Sequence, residues 1–165
     1  MFDLKQSQRD AQIRLKPTSP RRRRSDRGRS RLPPAVLAEV RASALGMNRP
    51  SVAALQRRLA AICAAAGLRT PSRASLYNAF ATIEGHSYAI RSLPPALVEV
   101  LYNLAPTGTV PGHQLAFYCF NYGSLAAVSY AAGLPWLDLY QARRLRGWRP
   151  RSRGLLDAVI RVRGI

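Results

Sequence analysis

The chain has 165 residues and carries 26 Lys and Arg against 8 Asp and Glu, an excess of 18 positive charges. Its length suits one ordinary domain or two very small ones, and a hydrophobic fraction of 47% excludes wholesale disorder. Two cysteines, Cys63 and Cys119, each inside an apolar run, exclude a disulfide scaffold and read as buried thiols of a cytoplasmic protein. His86 and His113 stand far apart with no cysteine at zinc-ligand spacing, so neither a metal nor a cofactor is expected. Only Lys5 and Lys16 among the basic residues are lysines. Arginine forks grip phosphate through two parallel hydrogen bonds and stack on bases, which makes nucleic acid the first partner to consider. An Arg- and Ala-rich composition also follows from a GC-rich genome, so the net charge is the firmer argument.

Residues 1–31 read as a disordered basic arm, with eleven Lys and Arg and three Asp. Pro17, Pro20 and Gly28 break a helix there, and self-repulsion extends the chain. Arg21, Arg22, Arg23, Arg24, Arg27, Arg29 and Arg31 are its candidate phosphate contacts. A solubilising tail, or an extension ahead of a later start such as Met47, is the alternative. Asp3, Lys5, Arg9 and Asp10 occupy the place where a signal peptide needs an apolar run, so export is not expected.

From Leu32 the pattern is helical, with a first unit over 32–91 and a second over 92–165. LPPAVLAEV places proline in a first helical turn. In SVAALQRRLAAICAAAG, Leu55, Leu59, Ile62 and Ala66 recur at helical spacing, and Gly67 supplies a left-handed stop. Thr70-Pro71-Ser72 then caps a shorter helix whose Leu76, Ala79, Phe80 and Ile83 share one face. EGHSYAIR, residues 84–91, reads as a small β wing or a linker. The order then recurs: LPPALVEV echoes LPPAVLAEV at an offset of 61, and LYQAR follows LYNAF at an offset of 63. Between them LAAVSYAAGL matches LAAICAAAGL at 66, with seven of ten residues identical. Three matches in one order point to a duplicated helical unit. The expected fold is all-α, with two tandem helix-turn-helix-like units. In each, a glycine (Gly67, then Gly133) takes a positive φ in the turn, four residues after a small residue (Cys63, then Ser129).

Such a unit places its second helix in the major groove while the first crosses the backbone. Residues 51–81 contain Arg57, Arg58, Arg69 and Arg73 and no acid. Arg69, Thr70, Ser72 and Arg73 cluster where the second helix starts; Ser75 and Asn78 lie off its apolar face, and asparagine pairs with adenine in bidentate fashion. Tyr77 contacts phosphate or packs. A helical hairpin with a solvated basic face is the plainer reading. The stretch RPSVAALQRRLAAICAAAGLRTPSRASLYNAF, residues 49–80, resembles the winged helix-turn-helix segments of bacterial transposases and related regulators. That resemblance implies DNA binding through Arg73, Ser75 and Asn78, but not transposition, because the acidic catalytic domain of those enzymes is missing.

The second unit differs. SLAAVSYAAG is uncharged all round, and a helix apolar on every side is normally buried on every side. PWLDLYQARRLRG ends among Arg143, Arg144, Arg146, Arg149, Arg151 and Arg153, a candidate phosphate-binding cluster in which Trp148 can stack or wedge. FYCFNYG reads as packing rather than a ligand box. Between Glu99 and Asp138 lie 38 residues with no formal charge. Leu115 to Leu137 has the length of a membrane span, but Asn121, Gly123, Ser124, Ser129, Gly133 and Pro135 favour buried helices or a partner interface. Residues 100–137 are therefore the candidate surface for a homodimer or a toxin partner.

No enzyme is expected: Glu39, Glu84, Glu99, Asp138 and Asp157, the acids beyond the arm, form no close pair that holds magnesium. The expectation is a sequence-specific binder of double-stranded DNA, a bacterial transcription regulator. The chain is also similar to the DNA-binding antitoxins paired with nucleotidyltransferase-like abortive-infection toxins, which implies autoregulation. The competing classes are an RNA-binding or architectural protein and a mobile-element accessory protein. Deleting residues 1–31 is expected to weaken binding to cognate and random duplex alike and to flatten the salt dependence without altering sequence preference. Fluorescence anisotropy across a salt series checks it, and altered preference in the deletion would reverse the assigned roles.

Overall fold

Adjacent prolines set the first described helix. The structure, a computed structural model, describes residues 32–165, so the candidate arm contacts at 21–31 lie outside the described residues. Helix α1 spans Pro34–Ala44, and its buried Val36, Val40 and Ala44 form one face. Helix α2 spans Val52–Ala65 under Ser51, whose hydroxyl accepts from the Ala54 N–H. It stops at Gly67, with φ at 63°. There Leu68 N–H donates to the Cys63 carbonyl at 2.7 Å and Gly67 N–H to that of Ala64 at 3.2 Å. Those paired bonds satisfy carbonyls that the helix end would otherwise orphan. Helix α3, Arg73–Thr82, starts under the Ser72 hydroxyl, which accepts from Ser75 N–H at 3.1 Å. Helix α1 packs on both α2 and α3. Leu55, Leu59 and Cys63 meet Leu76, Ala79 and Phe80 beneath the α1 face in one apolar cluster.

Ser87–Ala89 forms strand β1, which pairs antiparallel with β2, Thr109–Pro111, Tyr88 opposite Val110. Between them run a 3-10 turn at Ile90–Ser92, helix α4 at Pro95–Val98 and a second 3-10 turn at Glu99–Leu101. The expected wing over 84–91 is thus a strand whose partner comes from beyond α4, not a local hairpin of the first unit. The repeated LPP start is real at the level of backbone geometry: Pro33 and Pro94 have φ −55° and ψ 149° and 148°. The second helix then ends after one turn.

Helix α5 spans Gly112–Tyr122, α6 Leu125–Ala132, α7 Trp136–Ala142 and α8 Pro150–Val162. The uncharged run is cut at Gly123 and again at Gly133, and no helix among the described residues is long and apolar enough to cross a membrane. Helix α5 contributes Leu115, Ala116, Cys119 and Phe120 to a second apolar cluster. Ala127 and Ala131 of α6, Leu139 and Ala142 of α7, and Leu156 and Ile160 of α8 pack with them. Both thiols are buried and free, and burial pushes that of Cys119 up to about 12.

The mostly helical content fits the expected class, but the second unit departs from the expected plan. Gly133 has φ −86°, not the left-handed value assigned to it, because α6 leads directly into Pro135 and α7. Helix α6 is not buried all round: only Ala127 and Ala131 are buried, and Leu125 is 83% exposed. Helix α7 is the reverse, with six of its seven residues buried.

The two clusters interlock through α7. Its Leu139 and Ala142 belong to the second, while Trp136 and Leu137 enter the first. Trp136 meets the Phe80 ring edge-on, with centroids 5.1 Å apart, and its backbone N–H donates to the Met47 carbonyl at 3.1 Å. Gln141 Nε2 donates to the carbonyls of Phe80 and Ile83 at 2.9 and 2.7 Å, closing the end of α3. Arg163 Nη1 donates to the Ala132 and Leu134 carbonyls at 2.7 and 2.6 Å, and Ile165 packs on both clusters. The cores therefore do not divide at residue 92. Trp136→Ala is expected to cost about 3–5 kcal/mol, the range for emptying a large aromatic site. Urea unfolding with a single shared transition for both halves checks it, and a loss below about 1 kcal/mol would contradict the interlock.

Candidate nucleic-acid interface

The exposed side of α3 follows from its buried side. Leu76, Ala79 and Phe80 face the core, which leaves Ala74, Asn78 and Thr82, four residues apart, as an outward ridge. These side chains are short, and the Thr82 hydroxyl turns back onto the Asn78 and Ala79 carbonyls at 3.2 and 3.1 Å. Arg73 stands at the start of the ridge, its Nε donating to Gln56 Oε1 at 3.4 Å. Gln56 Nε2 donates in turn to the Pro71 carbonyl at 3.2 Å, so one side chain of α2 holds both the turn and the first residue of α3. Arg69 and Thr70 are exposed on that turn, and Arg57 is exposed on α2.

Several expected contacts have other work. Ser72 and Ser75 are the cap of α3, their hydroxyls 3.0 Å apart. Arg58 turns towards α1, donating to Ser43 Oγ at 2.6 Å and lying 3.3 Å from Glu39. Tyr77 is half-buried against Phe80, and its hydroxyl accepts from Arg49 Nη2 at 2.6 Å. Arg49, adjacent to the proline before α2, and Ala74 were missed as candidates. The only signal for Arg49 was its place ahead of Pro50-Ser51, which says nothing about the tyrosine 28 positions later.

The arginines of 143–153 form a separate group. Arg143 pairs with Asp157 at 2.7 Å, and Arg144 lies over the Tyr140 ring. Arg149 bonds Asn121 through both backbone N–H and guanidinium at 3.1 Å and covers the Tyr122 ring 4.5 Å from its centre. Trp148 is not a free wedge: its Nε1 donates to the Ala142 carbonyl at 3.0 Å and its ring meets Phe117 and Phe120. Packing of FYCFNYG against it is as expected. Arg146, Arg151 and Arg153 are exposed and make no ion pair among the described residues. Arg151 and Arg153 stand in the first turn of α8, at the opposite end of that helix from Gly164 beside the start of α2, while Arg143 reaches Asp157 midway along it.

Asp138, read in the sequence as an isolated acid, is wholly buried where β1, α5 and α7 meet. Tyr88 donates its hydroxyl to Asp138 Oδ2 at 3.2 Å. His86 Nδ1 lies 3.2 Å from the same oxygen, at ion-pair distance without hydrogen-bond alignment, and Nε2 lies 3.1 Å from the Leu45 carbonyl. A Cβ on Gly112 would collide with the Asp138 carboxyl, and one on Gly85 would stand 2.9 Å from its Oδ1, so neither position takes a side chain without displacing Asp138. Burial pushes the Asp138 carboxyl above the usual carboxylate range against the pull of His86 and Tyr88. Burial and then Asp138 raise the Tyr88 phenol, while burial lowers His113 against the opposing charge of Asp138. With its carboxyl closed off from solvent, the group serves as a polar seam between the first three helices and the rest. An acid between two buried leucines in WLDLY was the one sequence signal for it.

Compared with protein-family models, curated proteins and solved structures, the chain matches none of them.

A carboxyl raised by folding favours the fold most when protonated, and that contribution is lost as pH climbs from the ordinary carboxylate range through the raised value. Asp138→Asn stays neutral throughout. Its melting temperature is therefore expected to rise relative to the natural chain between about pH 4 and pH 7. His113 acts in the opposite sense, and losing the Asp138 charge deepens its lowering, which adds to the difference in the same direction. Parallel melting profiles over that interval would contradict the assignment.

Proposed function

We propose that the chain is a sequence-specific DNA-binding protein in which α2 and α3 act as a helix-turn-helix and α3 enters the major groove. The observation that carries this reading is the outward ridge of α3. Its short side chains at Ala74, Asn78 and Thr82 let the helix backbone approach base edges, and Arg73 at its start and Arg69 in the turn before it are exposed basic groups, as is Arg57 on α2. A helix about 10–12 Å across fits a groove about 12 Å wide. Asn78 offers the bidentate donor and acceptor that match adenine, and the Ala74 methyl offers an apolar contact to thymine. The turn between α2 and α3, residues 66–72, is longer than that of the shortest helix-turn-helix units. Gln56 bonds to both its end and the start of α3, which supports a fixed presentation.

The role proposed is a bacterial transcription regulator. An antitoxin form draws support from Tyr102, Tyr122, Leu125 and Tyr130, which are exposed within the uncharged segment 100–137. A second reading, binding without base readout, is favoured by Arg146, Arg151 and Arg153, exposed arginines that lie outside α3. Asn78→Ala decides between them. It is expected to reduce discrimination between cognate and random duplex by about 1–3 kcal/mol while leaving random binding unchanged. Competition anisotropy measures it, and equal competition by random duplex in the natural chain would exclude the regulator.

A further inference from the structure

An open cleft of about 410 Å³ lies at the start of α2, lined by Arg49, Ser51, Ala53, Arg73, Tyr77 and Gly164. Among the described residues no acidic side chain lines it. Each guanidinium is anchored by part of its donor set. Arg49 Nη2 donates to the Tyr77 hydroxyl at 2.6 Å and its carbon lies 5.7 Å from the ring centre. Arg73 gives its Nε to Gln56. An arginine has five N–H donors, so both retain donors for a further acceptor. Two cations sharing one open space repel each other unless an anion stands between them. Anchored forks lose less side-chain freedom on gripping that anion than free ones do. Phosphate suits this arrangement, since its several oxygens accept from two forks at once. Position supplies the source: Arg73 and Tyr77 belong to α3, and Tyr77 directly precedes Asn78 on the ridge.

We propose that this cleft is a phosphate seat in which Arg49 and Arg73 grip one backbone phosphate of the duplex that α3 reads. The source of the phosphate rests on the DNA-binding reading; the seat itself does not. Arg49 and Arg73 then set register without carrying sequence information, and Asn78 carries it.

The test uses the full chain with Arg49→Ala, Arg49→Lys and Arg73→Ala. Affinities for cognate and random duplex are read by anisotropy over a salt series, and pyrophosphate binding by titration calorimetry. Arg49→Ala is expected to weaken both duplexes alike, by about tenfold for a lost charged hydrogen bond. Its salt slope should fall, by at most about 0.9, the value for one phosphate, because Arg73 still faces the same phosphate. Arg49→Lys keeps the charge and should keep the slope. Arg73→Ala, from an exposed position, should lower the slope as Arg49→Ala does, which keeps the test open if Arg49→Ala fails to fold. A lowered slope upholds the seat whether or not pyrophosphate binds. An unchanged slope in folded Arg49→Ala and Arg73→Ala overturns the seat and leaves the DNA reading standing. A natural chain that binds no duplex, but binds pyrophosphate in a way Arg49→Ala abolishes, upholds the seat and overturns its DNA source. Absence of both kinds of binding overturns both.

Discussion

The insertion of α7 into two cores is the constraint on which the rest of the molecule depends. Trp136 fills the space under Phe80, and Leu139, three residues on, packs with the helices on the other side. A helix this short has no stable existence alone in water, so α7 is held by what surrounds it, and it holds α3 in return. Gln141 takes the carbonyls of Phe80 and Ile83 at the end of α3, and Trp136 packs on Phe80 in the last turn of the same helix. Fixed from behind in this way, α3 presents its ridge to solvent at a set angle to the rest of the protein. Preorganisation of that kind lowers the ordering cost of any contact the ridge makes.

The polar seam has the same architecture. A buried carboxylate is costly unless its neighbours compensate for it. Asp138 draws that compensation from His86 and Tyr88, about fifty residues earlier in the chain. The cost of burying it is one reason the seam is specific: no slipped packing of α7 would present the same partners. Arg163 adds a further tie at the surface, its guanidinium reaching the α6 carbonyls and, at 3.4 Å, that of Met47.

The arginines, uniform in the sequence, become three populations in the fold. Arg58, Arg143, Arg149 and Arg163 are spent on structure, bound to carboxylates, carbonyls or rings. Arg49 and Arg73 are anchored yet still offer donors to a shared cleft. Arg57, Arg69, Arg146, Arg151 and Arg153 stand exposed and contribute field more than geometry. Among the described arginines, the second population is distinguished by lining one cleft at the start of α2.

Local chemistry was legible in the residues alone. Paired prolines, Ser51 and Ser72 mark helix starts, Gly67 marks a left-handed stop, and Leu55, Leu59, Leu76 and Phe80 mark the buried faces. Each of these depends on neighbours within about four positions, where spacing and side-chain type decide the outcome. The likeness of LAAVSYAAGL to LAAICAAAGL did not carry over to the fold. Gly133 leads within two residues into Pro135 and a buried helix, whereas Gly67 leads into an open turn, and the likeness of the two ten-residue stretches ends before that difference begins. Tertiary structure alone decided that α6 is half-exposed, that β1 pairs beyond α4, that Trp148 packs, and which arginines are free. The reason is physical: burial, ion pairing and strand pairing are relations between residues tens of positions apart, settled by which faces the chain must close on one another.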